Sequence, residues 1–289
     1  MLIGHQKQWQ FLKKSIEMRK ISHAYLFSGQ ERLGKKTLAL EFAKLLTGQE
    51  SAAKINPDLN MILPENNEIK IAQIREMTRL LSLKPYSAPF KIAIIDQAHC
   101  MNWPAQTALL KTLEEPKGES ILILISEYPE MLLSTILSRI QKIKFYPVKK
   151  EEIEKYLKEQ KIEGEGLEEL CSISLGKPGE AVNFVSDPRK IEILRQRIKE
   201  LNKIKDADLV LRFQYAKDLS QSKEDLREVL DIWTGYFRDA LISAVNNQPT
   251  KYSLNKLKDI LNLIQNTKFL LFNTNANSRL ALERLMLEL

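Results

Sequence analysis

Apolar positions in the N-terminal half of the chain alternate between helical and strand-like spacing. In residues 6–18 and 35–47, apolar side chains recur about every three or four residues, which predicts two amphipathic helices. Residues 24–28, 91–96 and 121–125 form short, mainly apolar runs, as expected of strands buried on both faces of a sheet. Strands of this kind separated by helices predict a parallel α/β domain.

The pattern changes in the C-terminal half. Residues 150–184 predict short helices, and from about residue 189 onwards we find only helical periodicity. Two helices in this region are each predicted to bury one apolar face. The first face comprises Leu226, Leu230, Trp233, Phe237 and Leu241, and the second comprises Leu280, Leu282, Leu285 and Leu289. Trp233 and Phe237 are therefore expected in a helical core.

The length of 289 residues suggests two or three domains. The pattern favours three: an α/β domain over 1–148, a small helical domain over 149–187 and an all-α domain over 188–289. A composition of 44% hydrophobic and 28% charged residues is typical of a globular protein. Neither a signal-peptide pattern nor an apolar run of about 20 residues occurs, which predicts a cytoplasmic protein.

The formal net charge is +7, from 44 basic and 37 acidic residues. This excess suits a polyanionic partner such as nucleic acid. However, the two signs are interleaved, as in the run KKEE at 149–152, which is equally typical of a well-solvated surface. Charge alone leaves both interpretations open.

The segment GQERLGKKT, residues 29–37, follows a predicted strand and begins a predicted helix. In a G-x-x-x-x-G-K-[ST] loop, backbone N–H groups hold phosphates and the lysine reaches the outer ones. Gly29, Gly34 and Lys35 match this pattern, but Lys36 replaces the hydroxyl residue that binds Mg²⁺. Thr37 stands one residue later, a rotation of about 100° around the helix. The sequence therefore retains the phosphate-binding loop pattern but lacks its Mg²⁺ ligand, and it does not decide whether a nucleotide binds.

Asp96 ends an apolar strand, where a carboxylate could hold Mg²⁺. The next residue is Gln97, although ATP hydrolases carry a glutamate there that activates the attacking water. A carboxamide can hydrogen-bond a water molecule, but it cannot act as a carboxylate base. Metal binding and water activation are both affected, so we do not expect the chain to hydrolyse ATP by itself.

Several motifs, in order and spacing, resemble those of AAA+ clamp-loader subunits. They are HAYLF at 23–27, the loop at 29–37, ALLKTLEEP at 108–116 and LSR at 137–139. The C-terminal segment NTNANSRLALE at 273–283 is similar to that of the delta-prime family of bacterial DNA polymerase III clamp loaders. The resemblance covers essentially the whole chain. It implies an AAA+ α/β domain, a helical lid and a collar that joins subunits into a ring.

The resemblance also implies a function. Delta-prime subunits are stator-like and usually unable to hydrolyse ATP, and they assemble with ATPase (gamma/tau) subunits and the delta subunit. The complex loads the sliding clamp onto primer–template DNA as part of the DNA polymerase III holoenzyme. By this resemblance, Arg139, supported by Ser138, would act as an arginine finger on the ATP of a neighbouring subunit.

Departures from the family pattern concern the nucleotide and metal sites. Residues 47–58 lack the cysteines of a zinc module, so we predict no zinc. Gly179 stands where active relatives carry a lid arginine that senses the nucleotide. Ile140 replaces the cysteine that commonly follows the Ser-Arg motif. Ser126, at the end of a predicted strand, is a polar residue that could still reach a phosphate. We therefore expect no required cofactor and weak or absent ATP binding. The vestigial site would comprise Gly29, Gly34, Lys35, Thr37 and Asp96.

Two other functions remain open at this point. The first is a gamma/tau-like subunit that hydrolyses ATP, against which Lys36, Gln97 and Gly179 argue. The second is a stand-alone DNA-binding protein with an inert ATPase-like fold, although the sequence contains no base-reading motif. The adjacent Glu114 and Glu115 point about 100° apart on a helix, so we do not interpret them as an acid/base pair.

Overall fold

A computed structural model describes residues 2–48, 56–116, 118–160, 167, 170, 171, 174, 176–187, 189–222, 226–246, 250–274 and 276–289. The chain forms two compact units, Met1–Tyr156 with Gly176–Glu180, and Leu157–Leu175 with Ala181–Leu289. The three-domain division remains a prediction. Most of the stretch expected to lack zinc, residues 49–55, lies outside the described residues. None of the described helices is long and apolar enough to cross a membrane.

The elements up to the last strand alternate helices and strands. In chain order they are α1 (Gln6–Glu17), β1 (Ala24–Ser28), α2 (Lys35–Thr47), β2 (Leu59–Ile62), α3 (Ile71–Leu81), β3 (Lys91–Ile95), α4 (Trp103–Glu114), β4 (Ser120–Ser126), α5 (Ser134–Leu137) and β5 (Gln141–Lys144). The helices described after β5 are α6 (Lys150–Glu159), α7 (Pro178–Ser186), α8 (Arg189–Ile204), α9 (Leu209–Gln221), α10 (Leu226–Val245), α11 (Leu254–Asn273) and α12 (Ser278–Glu288).

The five strands form one parallel sheet in the order β2-β3-β4-β1-β5. The predicted α/β class is therefore confirmed, and β1, β3 and β4 coincide with the three predicted strands. The edge strands β2 and β5 did not stand out in the sequence. In a parallel sheet all strands end at the same edge, so the segments after β1, β3 and β4 are brought together there. These segments carry the predicted nucleotide-site residues.

Alternate residues of the central strands face opposite sides of the sheet. In β1, Ala24 and Leu26 join a core with α3, α4 and α5, whereas Tyr25 and Phe27 join a core with α1 and α2. All five residues of β1 are buried, because helices cover both faces. The predicted nucleotide site thus lies at the ends of strands that are packed on both faces.

The second unit is helical throughout its described part, in agreement with the sequence. Helix α10 packs against α11, and α9 packs against α12. The side chains of Asp208, Ser253 and Asn277 each accept a hydrogen bond from a backbone N–H in the first turn of the following helix, which explains where α9, α11 and α12 begin. Hydrophobic faces then hold the helices together.

Trp233 and Phe237 are fully buried in this unit, as predicted. The prediction for the last helix was wrong at one position, since Leu280 is 64% exposed. Leu280 lies two residues before the buried Leu282, a rotation of about 200° around the helix, so the two cannot share one face. Leu285 and Leu289 follow Leu282 at steps of three and four and are buried as expected.

Candidate functional site

The loop between β1 and α2 requires both of its glycines. Gly34 has a φ of 86°, a left-handed conformation that disfavours other residues, and α2 begins immediately after it. At Gly29, a Cβ atom would lie 2.4 Å from the carbonyl oxygen of Phe145. The loop therefore retains the close backbone packing and the helix N-terminus that phosphate-binding loops use.

Lys35 is folded back onto this loop. Its Nζ donates to the carbonyl oxygens of Gly29 and Gln30, at 2.5 Å each. The residue is only 6% exposed, and this burial lowers the pKa of its ammonium group to about 8. Two of the three N–H donors of this ammonium group are therefore engaged within the loop itself.

Lys36 forms an ion pair with Asp96, with 3.1 Å between Nζ and Oδ2. These two residues occupy the positions at which a hydroxyl and a carboxylate hold Mg²⁺ in phosphate-loop NTPases. The lysine ammonium thus neutralises the carboxylate that a metal ion would need. Thr37, the next residue along the chain, is exposed and lines the same pocket. The residues present do not fit Mg²⁺ unless the ion pair is broken.

The neighbouring polar residues at the sheet edge bond to one another. The backbone N–H of Gln97 donates to Oδ1 of Asp96 at 3.1 Å. Ser126, at the end of β4, is fully buried, and its Oγ lies 3.3 Å from Nδ1 of His99 in a hydrogen bond. Ser126 also lines the pocket, and its hydroxyl is engaged with His99, so its contact with a phosphate stays a prediction.

Charges around the pocket cancel. Its volume is about 310 Å³, and its ionised lining residues include three cations and three anions: Arg32, Lys35, Lys36, Glu31, Asp96 and Glu127. Nucleoside triphosphates are polyanions, so a lining without net positive charge provides little long-range attraction for them. The pocket has the position of a nucleotide site, but its ionised lining side chains carry no net positive charge.

Gly179 lies directly against the phosphate-loop segment. Its backbone N–H donates to the carbonyl oxygen of Arg32 at 2.8 Å, and a Cβ at Gly179 would lie 2.9 Å from that oxygen. Arg32 also forms an ion pair with Glu180, with 2.6 Å between Nη1 and Oε1. An arginine at position 179 would collide with this arrangement. The pair between Arg32 and Glu180 joins residues 148 positions apart and was not anticipated from the sequence.

Arg139 lies outside this pocket, just after α5. Its Nη1 donates to the carbonyl oxygen of Thr135 at 3.0 Å and to Oγ of Ser138 at 3.2 Å. Its Nη2 lies 3.0 Å from Oε1 of Glu114. The next residue, Ile140, is buried in the core, which leaves the arginine at the surface. The structure thus separates the predicted site residues into a pocket group and a surface arginine.

A family model described as DNA polymerase III, delta subunit, matches residues 4–149. The chain belongs to this family. It is 36% identical to DNA polymerase III subunit delta' of Bacillus subtilis, over 52% of this chain and 50% of that protein. It is 34% identical to the delta' subunit of Pseudomonas aeruginosa, over 54% of both chains. The resemblance to delta-prime clamp-loader subunits is therefore confirmed.

Other relatives extend over more of the chain. Subunit tau of Bacillus subtilis is 26% identical, over 83% of this chain and 49% of that protein. The chain spans about half the length of these curated relatives. A gamma subunit-related protein from Thermotoga maritima has a TM-score of 0.54 at 20% identity, covering 97% of both chains. The Holliday junction branch migration motor RuvB from the same organism has a TM-score of 0.51 at 16% identity. This match covers 90% of this chain and 82% of RuvB. The two solved structures show the same AAA+-type fold, whereas membership of the clamp-loader family rests on the family model.

Proposed function

We propose that the chain is a non-catalytic subunit of a DNA polymerase III clamp loader. It would assemble with ATPase (gamma/tau) subunits and the delta subunit in the cytoplasm and help to load the sliding clamp onto primed DNA. The observation that carries this proposal is the ion pair between Lys36 and Asp96, because it occupies both positions that should hold Mg²⁺. Family membership supports assembly with other clamp-loader subunits.

In this proposal, Arg139 completes the ATP site of a neighbouring ATPase subunit. A planar guanidinium group can stabilise the charge on a phosphoryl group in transfer, and it is always protonated. The exposed position of Arg139 and its separation from the chain's own pocket support a role in trans. Residues 188–289 would form the collar, and 149–187 the lid. The charge of +7 supports modest, salt-sensitive contacts with primer–template phosphates.

The alternative is a gamma/tau-like subunit with ATPase activity, which the match to subunit tau over 83% of the chain favours. Three features weigh against it: Lys36 pairs with Asp96, Gln97 replaces the water-activating glutamate, and Gly179 excludes a lid arginine. They affect separate steps of hydrolysis, so restoring one of them would not restore turnover.

Reconstitution by omission tests the proposal. Purified gamma/tau and delta subunits are mixed with or without this chain, and DNA- and clamp-stimulated ATP hydrolysis is measured after size-exclusion chromatography. We expect the chain to co-elute with the other subunits and to be required for full stimulation. If stimulation is complete without the chain, or if the chain elutes alone, the proposed role is wrong.

A further inference from the structure

Within the described part of the chain, three groups bond to the guanidinium of Arg139. Two of them, the Thr135 carbonyl oxygen and Ser138 Oγ, belong to its own turn and accept hydrogen bonds from Nη1. The third is the carboxylate of Glu114, at the C-terminal end of α4 and 25 positions away, which forms an ion pair with Nη2. Among the residues that the structure describes, none accepts a hydrogen bond from Nε–H. One edge of the guanidinium is thus fixed, and the Nε side is available to an outside acceptor.

Stability does not explain the ion pair between Glu114 and Arg139. The side chains are 52% and 38% exposed, and solvent-exposed pairs contribute little to the free energy of folding. The pair instead reduces the number of conformations open to the Arg139 side chain, which is long and otherwise samples many rotamers. Together with the two Nη1 hydrogen bonds, it favours one position of the guanidinium on the surface.

We propose that Glu114 is a positioning residue for Arg139, a proposal that rests on the function proposed above. A catalytic arginine contributes in proportion to the fraction of time it spends in the competent orientation. Glu114 raises that fraction before the neighbouring subunit's triphosphate arrives. The phosphate then accepts from Nε–H, while Nη1 stays anchored to the chain and Nη2 stays paired with Glu114.

The test uses a reconstituted clamp loader and compares Glu114→Gln with Glu115→Gln. The second substitution is a matched control, because it removes the same charge one residue away. For E114Q we expect kcat for ATP to fall about fivefold with KM unchanged, as the oriented fraction of Arg139 falls to roughly one fifth. E115Q should behave as the unmodified complex does. Circular dichroism should give the same unfolding temperature for both variants.

Arg139→Ala and the double variant E114Q/R139A separate this inference from the proposed function. If Glu114 acts through Arg139, the double variant has the same kcat as R139A alone. A further decrease in the double variant would contradict the inference, as would an unchanged or increased kcat for E114Q. If R139A itself leaves kcat unchanged, the proposed function fails and the inference fails with it.

Discussion

Replacing Arg139 with alanine is expected to lower the rate of ATP hydrolysis at the neighbouring subunit's site by about 1,000-fold. The arginine is needed when charge develops on the transferring phosphoryl group, so kcat should fall while ATP binding changes little. The measurement is single-turnover hydrolysis in the reconstituted clamp loader, with ATP affinity determined separately. Arg139→Lys should recover little of the rate, because an ammonium group lacks the planar donor fork.

Arg79→Ala provides a matched control. Arg79 is an exposed arginine on α3 that is paired with Glu76, at 2.6 Å between Nη2 and Oε1. Its removal costs the chain the same charge as R139A, and its ion-pair partner lies on its own helix. We expect an unchanged hydrolysis rate for R79A. Equal losses for R79A and R139A would show that only the overall charge matters, and the role assigned to Arg139 would be wrong.

Lys36→Thr is expected to create magnesium-dependent nucleotide binding in the isolated chain. The substitution releases the Asp96 carboxylate from its ion pair and supplies the hydroxyl that the motif lacks. Mg²⁺ prefers such oxygen ligands together with phosphate oxygens. We expect the affinity for a fluorescent ATP analogue to rise roughly 30- to 100-fold in Mg²⁺, about 2–3 kcal/mol, and to change little in EDTA. Turnover should remain absent because Gln97 is unchanged.

Lys36→Ala separates the effect of releasing Asp96 from the effect of adding a hydroxyl group. It removes the ion pair with Asp96 without supplying a hydroxyl, so it should give a smaller gain in magnesium-dependent affinity than K36T. If both variants bind nucleotide as weakly as the original chain, the ion pair is not what prevents binding. The position of Lys35 on the Gly29 and Gln30 carbonyls would then be the cause to examine.

The central sheet could be predicted from sequence, but its edges could not. Strands β1, β3 and β4 are buried on both faces and appear as apolar runs. The edge strand β5 has the sequence QKIK, in which only Ile143 is buried, and β2 has only Ile62 buried. Such short edge strands have neighbours on one side only, so their pairing is determined by the rest of the sheet. The wrong assignment of Leu280 had a simpler cause, since two-residue spacing does not keep one helix face.

In the candidate site, the motifs located the residues but not their partners. The ion pair between Lys36 and Asp96 had a signal, because a lysine at one of two metal-ligand positions should approach the other. The ion pairs between distant segments could not be predicted in this way, because nothing in the sequence relates Arg32 to Glu180, or Glu114 to Arg139. These pairs depend on how helices pack on the sheet, which the apolar pattern describes only coarsely.

The central claim is that this chain does not use ATP itself but completes a neighbour's site. The most direct measurement is binding of a fluorescent ATP analogue to the isolated chain, with and without Mg²⁺, together with phosphate release. We predict no magnesium-dependent binding at high micromolar nucleotide and no phosphate release. Tight magnesium-dependent binding accompanied by turnover would contradict the claim, because the ion pair between Lys36 and Asp96 would then not exclude the metal.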